Sequence, residues 1–109
     1  MQVVCCQVDT VWEDKAATHA RVASLLEVSP PSRGALVVLP EQFSTGSSFD
    51  LARIAEADER PSETFLAETA AKLGVYLIGG VVTRGSDGRG RNEAVVFGPD
   101  GREITRYCK

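Results

Sequence analysis

Apolar residues in this chain fall into short continuous runs, separated by stretches in which they recur every three or four positions. Residues 2–8 (QVVCCQV) are a run of strand length, and helical signals begin only after Asp9, so the chain opens with a strand. Thr10 and Glu13 have the spacing of a reciprocal capping box, which predicts a helix starting there. From Trp12, the positions Ala16, Ala20, Ala23 and Leu26, with Val22 and Leu25 beside them, predict one buried stripe. Ser29-Pro30-Pro31 ends that helix, because proline offers no amide donor.

Residues 35–39 (ALVVL) read as a strand covered on both faces, and with the preceding strand and helix they complete a β-α-β unit and a parallel pair. Pro40 stops the strand, and residues 41–50 (EQFSTGSSFD) follow as a polar loop with two phenylalanines. A short helical turn is expected over 51–57. A clearer helix has Ser62 as N-cap and Glu63 at the positive end of the dipole, with Phe65, Leu66, Thr69, Ala70 and Leu73 on one side. Gly74 stops it in the left-handed conformation. Residues 75–83 (VYLIGGVVT) form the longest strand, and Gly79-Gly80 predicts a bend or a close approach of another backbone. Gly98-Pro99-Asp100-Gly101 then joins residues 92–97 to 103–107 as a hairpin. The order predicts an α/β fold with a mixed sheet and helices on at least one face.

Composition narrows the function classes. A chain of 109 residues is one domain at most. With 43% hydrophobic and 25% charged residues it is ordinary for a globular protein. A net charge of −3 supplies no field for a phosphate backbone, which argues against a nucleic-acid partner. No apolar run approaches the ~20 residues that span a bilayer, and the start MQVVCCQV lacks a basic n-region and a cleavage site. Three cysteines cannot all pair within one chain, and Cys5 and Cys6 would point to opposite faces of a strand, so reduced, packed thiols in a cytoplasmic protein are expected.

Few residues qualify for chemistry. Glu41 lies just past the carboxyl end of a buried strand, where ligands of α/β sheets gather. Shielded by Phe43 and Phe49 it would be a general base of raised pKa; otherwise it is a solvated loop glutamate, and position alone does not choose. Strand alternation places Lys109 on the face of Tyr107 and opposite Cys108, so Lys109 is either an oxyanion donor or a solvated terminal lysine. Cys5 and Cys6 lie in a presumed core strand far from a helix N-terminus or cation, and although Cys108 has Arg106 and Lys109 near in sequence, none of the three is expected to be a nucleophile. His19 is the single histidine, on a helix with no other ligand type near it in sequence. The Gly- and Arg-rich connection over 84–90 contains no phosphate-loop motif.

The segments VVCCQVDTVWEDKAATHARV, ALVVLPEQFSTGSSF, VYLIGGVVTR and RNEAVVFGPDGREITRYCK together resemble, in order, the N-terminal portion of the nitrilase-like carbon-nitrogen hydrolase superfamily. PEQFSTG is most similar to its omega-amidase branch, which hydrolyses amides of small dicarboxylic keto acids. The resemblance implies an incomplete α-β-β-α sandwich over residues 1–109, with Glu41 as general base and Lys109 stabilising the tetrahedral intermediate. It implies no metal or organic cofactor, a small amide substrate for the complete enzyme, and homo-oligomers paired through the sandwich. The family's nucleophilic cysteine and supporting glutamate fall beyond the position matching Lys109, and Cys108 does not match the nucleophile. The expectation is therefore an amidase piece, inactive alone, with apolar sheet surface left uncovered. The alternative is a non-catalytic domain that binds a partner through the unfinished sheet, and a third reading is an anion-binding module built on the connection at 84–90.

Overall fold

Three parallel strands joined by helical crossovers, extended by two antiparallel strands, make one mixed sheet. A computed structural model describes the whole chain, Met1–Lys109. Its elements are β1 (Val3–Cys5), α1 (Lys15–Val28), β2 (Leu36–Val38), α2 (Leu51–Ile54), α3 (Pro61–Leu73), β3 (Tyr76–Arg84), β4 (Gly90–Phe97) and β5 (Glu103–Cys108). The strands lie side by side in sequence order, with β1, β2 and β3 parallel and β4 and β5 added as antiparallel neighbours.

Right-handed crossovers advancing in one direction deliver their helices to one face of a sheet. Val22 and Leu26 of α1 accordingly meet Leu66 and Ala70 of α3 over Val37, Leu77, Val81, Val95 and Phe97 in one buried cluster. Each fully buried aliphatic side chain of this kind contributes about 1.5–3 kcal/mol. The opposite face carries neither α1 nor α3, and only Leu51 of α2 reaches it, beside Val82 and Gly90. There Leu36, Val38, Ile78, Ala94 and Val96 are half-buried, and Val3 and Tyr107 are 57% and 69% exposed. Residues 35–39, expected to be covered on both faces, are thus closed on the helix side alone. The sheet and its single helical layer are those of an incomplete α-β-β-α sandwich.

Local chemistry departs from the expected pattern at both long helices. The cap of α1 is Asp14, whose carboxylate accepts the Ala17 amide at 3.0 Å. Thr10 and Glu13 do not form a capping box: the Thr10 hydroxyl donates to the Phe43 carbonyl, and Glu13, in the left-handed region at φ 55°, accepts from the Ser48 hydroxyl. Starting later rotates the buried stripe to Thr18, Val22 and Leu26, leaving Ala16, Ala20 and Leu25 at the surface. For α3, Ser62 is not the cap but lies inside the first turn, after a left-handed Arg60. The Glu56 carboxylate, reaching in from the preceding loop, accepts the amides of Ser62 and Glu63 at 2.6 and 3.1 Å. Lys15 pairs with the same carboxylate at 3.0 Å. Gly74 is left-handed at φ 64° and ends α3 as expected.

The hairpin of β4 and β5 closes through Gly98 and Gly101, the latter at φ 77°. A register shift at Val96/Phe97 lets Glu103 oppose Phe97 while Thr105 opposes Val96. On the helix side, Arg106 binds Glu63, Glu93 and Glu103 at once, tying β5 to β4 and α3. The cysteines are unpaired but not packed as expected: Cys5 and Cys108 are exposed and Cys6 is half-buried, because β1 and β5 are the two edges of the sheet. No helix is long and apolar enough to cross a membrane.

Candidate functional site

Glu41 and Lys109 meet. Lys109 Nζ lies 3.1 Å from Glu41 Oε1 in an open cleft of about 270 Å³ at the carboxyl end of β2, on the face opposite α1 and α3. Val38, Ile78, Gly80 and Ala94 floor the cleft and Tyr107 lines it.

Glu41 is placed by backbone. Pro40 ends β2, and its carbonyl accepts the Gly80 amide at 3.3 Å while the Gly80 carbonyl accepts the Phe43 amide at 3.2 Å. The chain between is pressed against β3: a Cβ at Gly80 would come within 2.5 Å of the Gln42 nitrogen and 2.8 Å of the Glu41 Cα. This is the close backbone approach that Gly79-Gly80 predicts. Gln42 turns sharply at φ 48°, which sends Phe43 into the core. Phe43 therefore pins the loop and does not cover Glu41, and Phe49 is 100% exposed. Neither phenylalanine dries the carboxylate.

Of the two alternatives open for Glu41, the solvated one holds, and its pKa is lowered, not raised. A hydrogen bond from Asn92, then the hydrogen bond and charge of Lys109, hold the Glu41 carboxyl below the ordinary glutamate range. Asn92 Nδ2 donates to Glu41 Oε1 at 2.5 Å. The Glu41 and Lys109 side chains are well exposed, so their pairing adds little to stability. Its importance is positional.

Lys109 is held despite being the last residue of the sequence, because its amide donates to the Asn92 carbonyl at 2.9 Å. Alternation along β5 puts its side chain with Tyr107 and on the opposite face from Cys108, as the sequence implies. Asn92 is the site residue that sequence reasoning missed. The available signal was alternation along β4, which groups Asn92 with Ala94 on the open face and away from Glu93.

The remaining candidates lie elsewhere. None of the three cysteines lines the cleft. His19 is half-buried on the helix side, hydrogen-bonded to Ser62 and stacked on Phe65. In the connection at 84–90, Arg91 binds Asp87 and Arg84 binds the Gly88 carbonyl, so these guanidinium groups brace the turn. No group of three or more His, Cys, Asp or Glu side chains is gathered as metal ligands.

A buried strand delivering a glutamate to a cleft, with a lysine arriving from the sheet's far edge, is the arrangement the fold builds. The chain belongs to the carbon-nitrogen hydrolase family, whose model matches residues 2–109. It is 35% identical over 97 residues to omega-amidase NIT2 of Danio rerio, covering 87% of this chain and 35% of that protein. The human omega-amidase NIT2 is 31% identical over 97 residues, with the same coverage of 87% and 35%. Among solved structures, XC1258 from Xanthomonas campestris, a CN-hydrolase superfamily protein, superposes with a TM-score of 0.83 at 29% identity, covering 98% of this chain and 39% of that one. The chain thus spans about a third of the length of the curated relatives it matches.

Proposed function

We propose that this chain carries the general base and the oxyanion-stabilising lysine of an amidase acting on non-peptide amide bonds of small acids, of the omega-amidase kind. Glu41 is the base and Lys109 the oxyanion donor. The observation that carries the reading is the 3.1 Å approach of Lys109 Nζ to Glu41 Oε1 in one cleft, from residues 68 positions apart. The similarity to omega-amidases supports the substrate class.

The chemistry needs a cysteine. Glu41 takes its thiol proton, the thiolate attacks the amide carbon, and the Lys109 ammonium stabilises the negative oxygen that forms. Collapse breaks the carbon-nitrogen bond, the Glu41 proton leaves with ammonia, and water, deprotonated by Glu41, hydrolyses the thioester. Cys108 faces away from Lys109, and Cys5 and Cys6 belong to or follow the far edge strand. The nucleophile therefore comes from outside these 109 residues, and the chain alone is inactive. Its unpaired thiols fit a reducing, cytoplasmic setting.

Ammonia release from a monoamide of a small dicarboxylic acid tests this. The chain alone should release none; the protein extended in its reading frame past Lys109 should release it, and Glu41→Gln or Lys109→Ala should abolish release. Release by the extended protein that survives Glu41→Gln sinks the proposal. A second reading, a non-catalytic domain that docks another polypeptide, draws on the open sheet face with its exposed Tyr107 and Val3. It predicts a stable complex whose formation is indifferent to Glu41→Gln.

A further inference from the structure

We infer that Asn92 is a positioning residue for Glu41, tying one carboxylate oxygen in place and leaving the other free to act as the base. The inference rests on the reading of Glu41 as a general base and adds a division of labour between its two oxygens. Oε1 receives both donors, Asn92 Nδ2 at 2.5 Å and Lys109 Nζ at 3.1 Å. Oε2 receives no hydrogen bond from any group of the chain.

The orientation of the Asn92 amide follows from its partner. An ionised carboxylate can only accept, so the NH₂ end must face Glu41. A single carboxylate bond leaves rotation about the terminal torsion broad and roughly two-fold. Two donors converging on Oε1 from different strands remove that freedom and fix which oxygen remains open.

Asn92 also reaches the second member of the pair through its main chain. Its carbonyl accepts the Lys109 amide, which holds the end of β5 against the start of β4. One residue therefore sets the carboxylate with its side chain and the ammonium's anchor with its backbone. Side-chain substitution removes the first contact and keeps the second, which makes the two separable. Asn92 is half-buried on the open face, outside the hydrophobic cluster.

Titrating the Glu41 side-chain carboxyl by ¹³C NMR in the 109-residue chain tests the inference without requiring activity. In the wild type the midpoint should lie below the ordinary glutamate value. Asn92→Ala should move it to higher pH, with the Lys109 amide still protected from hydrogen exchange. Should Asn92→Ala fail to fold, Asn92→Asp retains the shape and replaces the donor with an acceptor, and its Glu41 midpoint should also rise. A midpoint unchanged in the folded variant overturns the positioning role. In the extended, active protein, Asn92→Ala should lower kcat on the order of 10²-fold with little change in KM, and move the acid limb of the rate upward. An unchanged kcat and acid limb overturn it equally. Ammonia release insensitive to Glu41→Gln would instead overturn the amidase reading, and the NMR titration distinguishes the two failures.

Discussion

The backbone of Gly80 lies directly under Glu41, so close that a methyl group there would sit 2.8 Å from the Glu41 Cα. The obstacle is main chain and cannot swing aside. Gly80→Ala should therefore push the 40–43 segment off β3, cost about 1–3 kcal/mol in stability and separate Glu41 from Lys109. Gly79→Ala is the comparison: its methyl would meet core side chains and not main chain, the Leu66 Cδ atoms at 3.0 Å and the Phe43 ring at 3.1 Å, so it should lower stability by overpacking and move the Glu41 midpoint less. Urea unfolding together with the Glu41 titration distinguishes them. A Glu41 midpoint unaltered by Gly80→Ala would contradict the packing argument.

The start of α3 depends on a carboxylate that lies before it. Glu56 accepts two amides of the first turn and pairs with Lys15, and its side chain is 2% exposed. Glu56→Ala should cost about 1–3 kcal/mol, measured as a lower urea midpoint, by leaving those donors without a partner. Ser62→Ala should not reproduce a lost cap, since the Ser62 hydroxyl bonds Ser44 and His19, not a backbone amide. A neutral result for Glu56→Ala would show that α3 begins without this cap.

His19 gives stability a pH dependence of definite sign. Burial lowers its pKa from the ordinary value of 6.5, against an upward pull from Glu56 and with a further push from Lys15. Well above the ordinary pKa of 6.5 both folded and unfolded forms are neutral there, and the contribution of His19 is complete. As pH falls, the unfolded chain takes the proton first, so stability declines until the folded-state pKa is passed and then levels off. His19→Gln cannot titrate, and the loss of stability between about pH 7.5 and about pH 5.5 should be smaller in this variant. Equal losses in the two proteins would exclude His19 as the source.

Much of this architecture is legible in the sequence because it is written in local signals. The apolar runs mark β2 and β3, Gly98-Pro99-Asp100-Gly101 marks the last hairpin, and Gly74 ends α3. Glu41 is legible because Pro40 ends a buried strand in front of it, and the face of Lys109 follows from counting back to Tyr107. The errors share a cause, which is that a distant group took over a local role. Thr10 and Glu13 have the spacing of a capping box, but the loop at 43–48 uses both side chains, leaving Asp14 to cap α1. Ser62 looks like a cap until Glu56 reaches the amides first. Asn92 could be placed beside Glu41 only with the register of β4 against β3, which sets Ala94 opposite Gly80 and Asn92 opposite Val82. The choice between a shielded and a solvated Glu41 was not legible for a related reason: the direction in which Phe43 points is decided by the turn at Gln42.

Because β3 alone joins the parallel half of the sheet to the antiparallel half, the two sides of the cleft cannot meet in any partly folded chain that lacks it. The encounter of the acid and the amine therefore requires β2, β3, β4 and β5 to stand side by side in register, and it is indifferent to the edge strand β1.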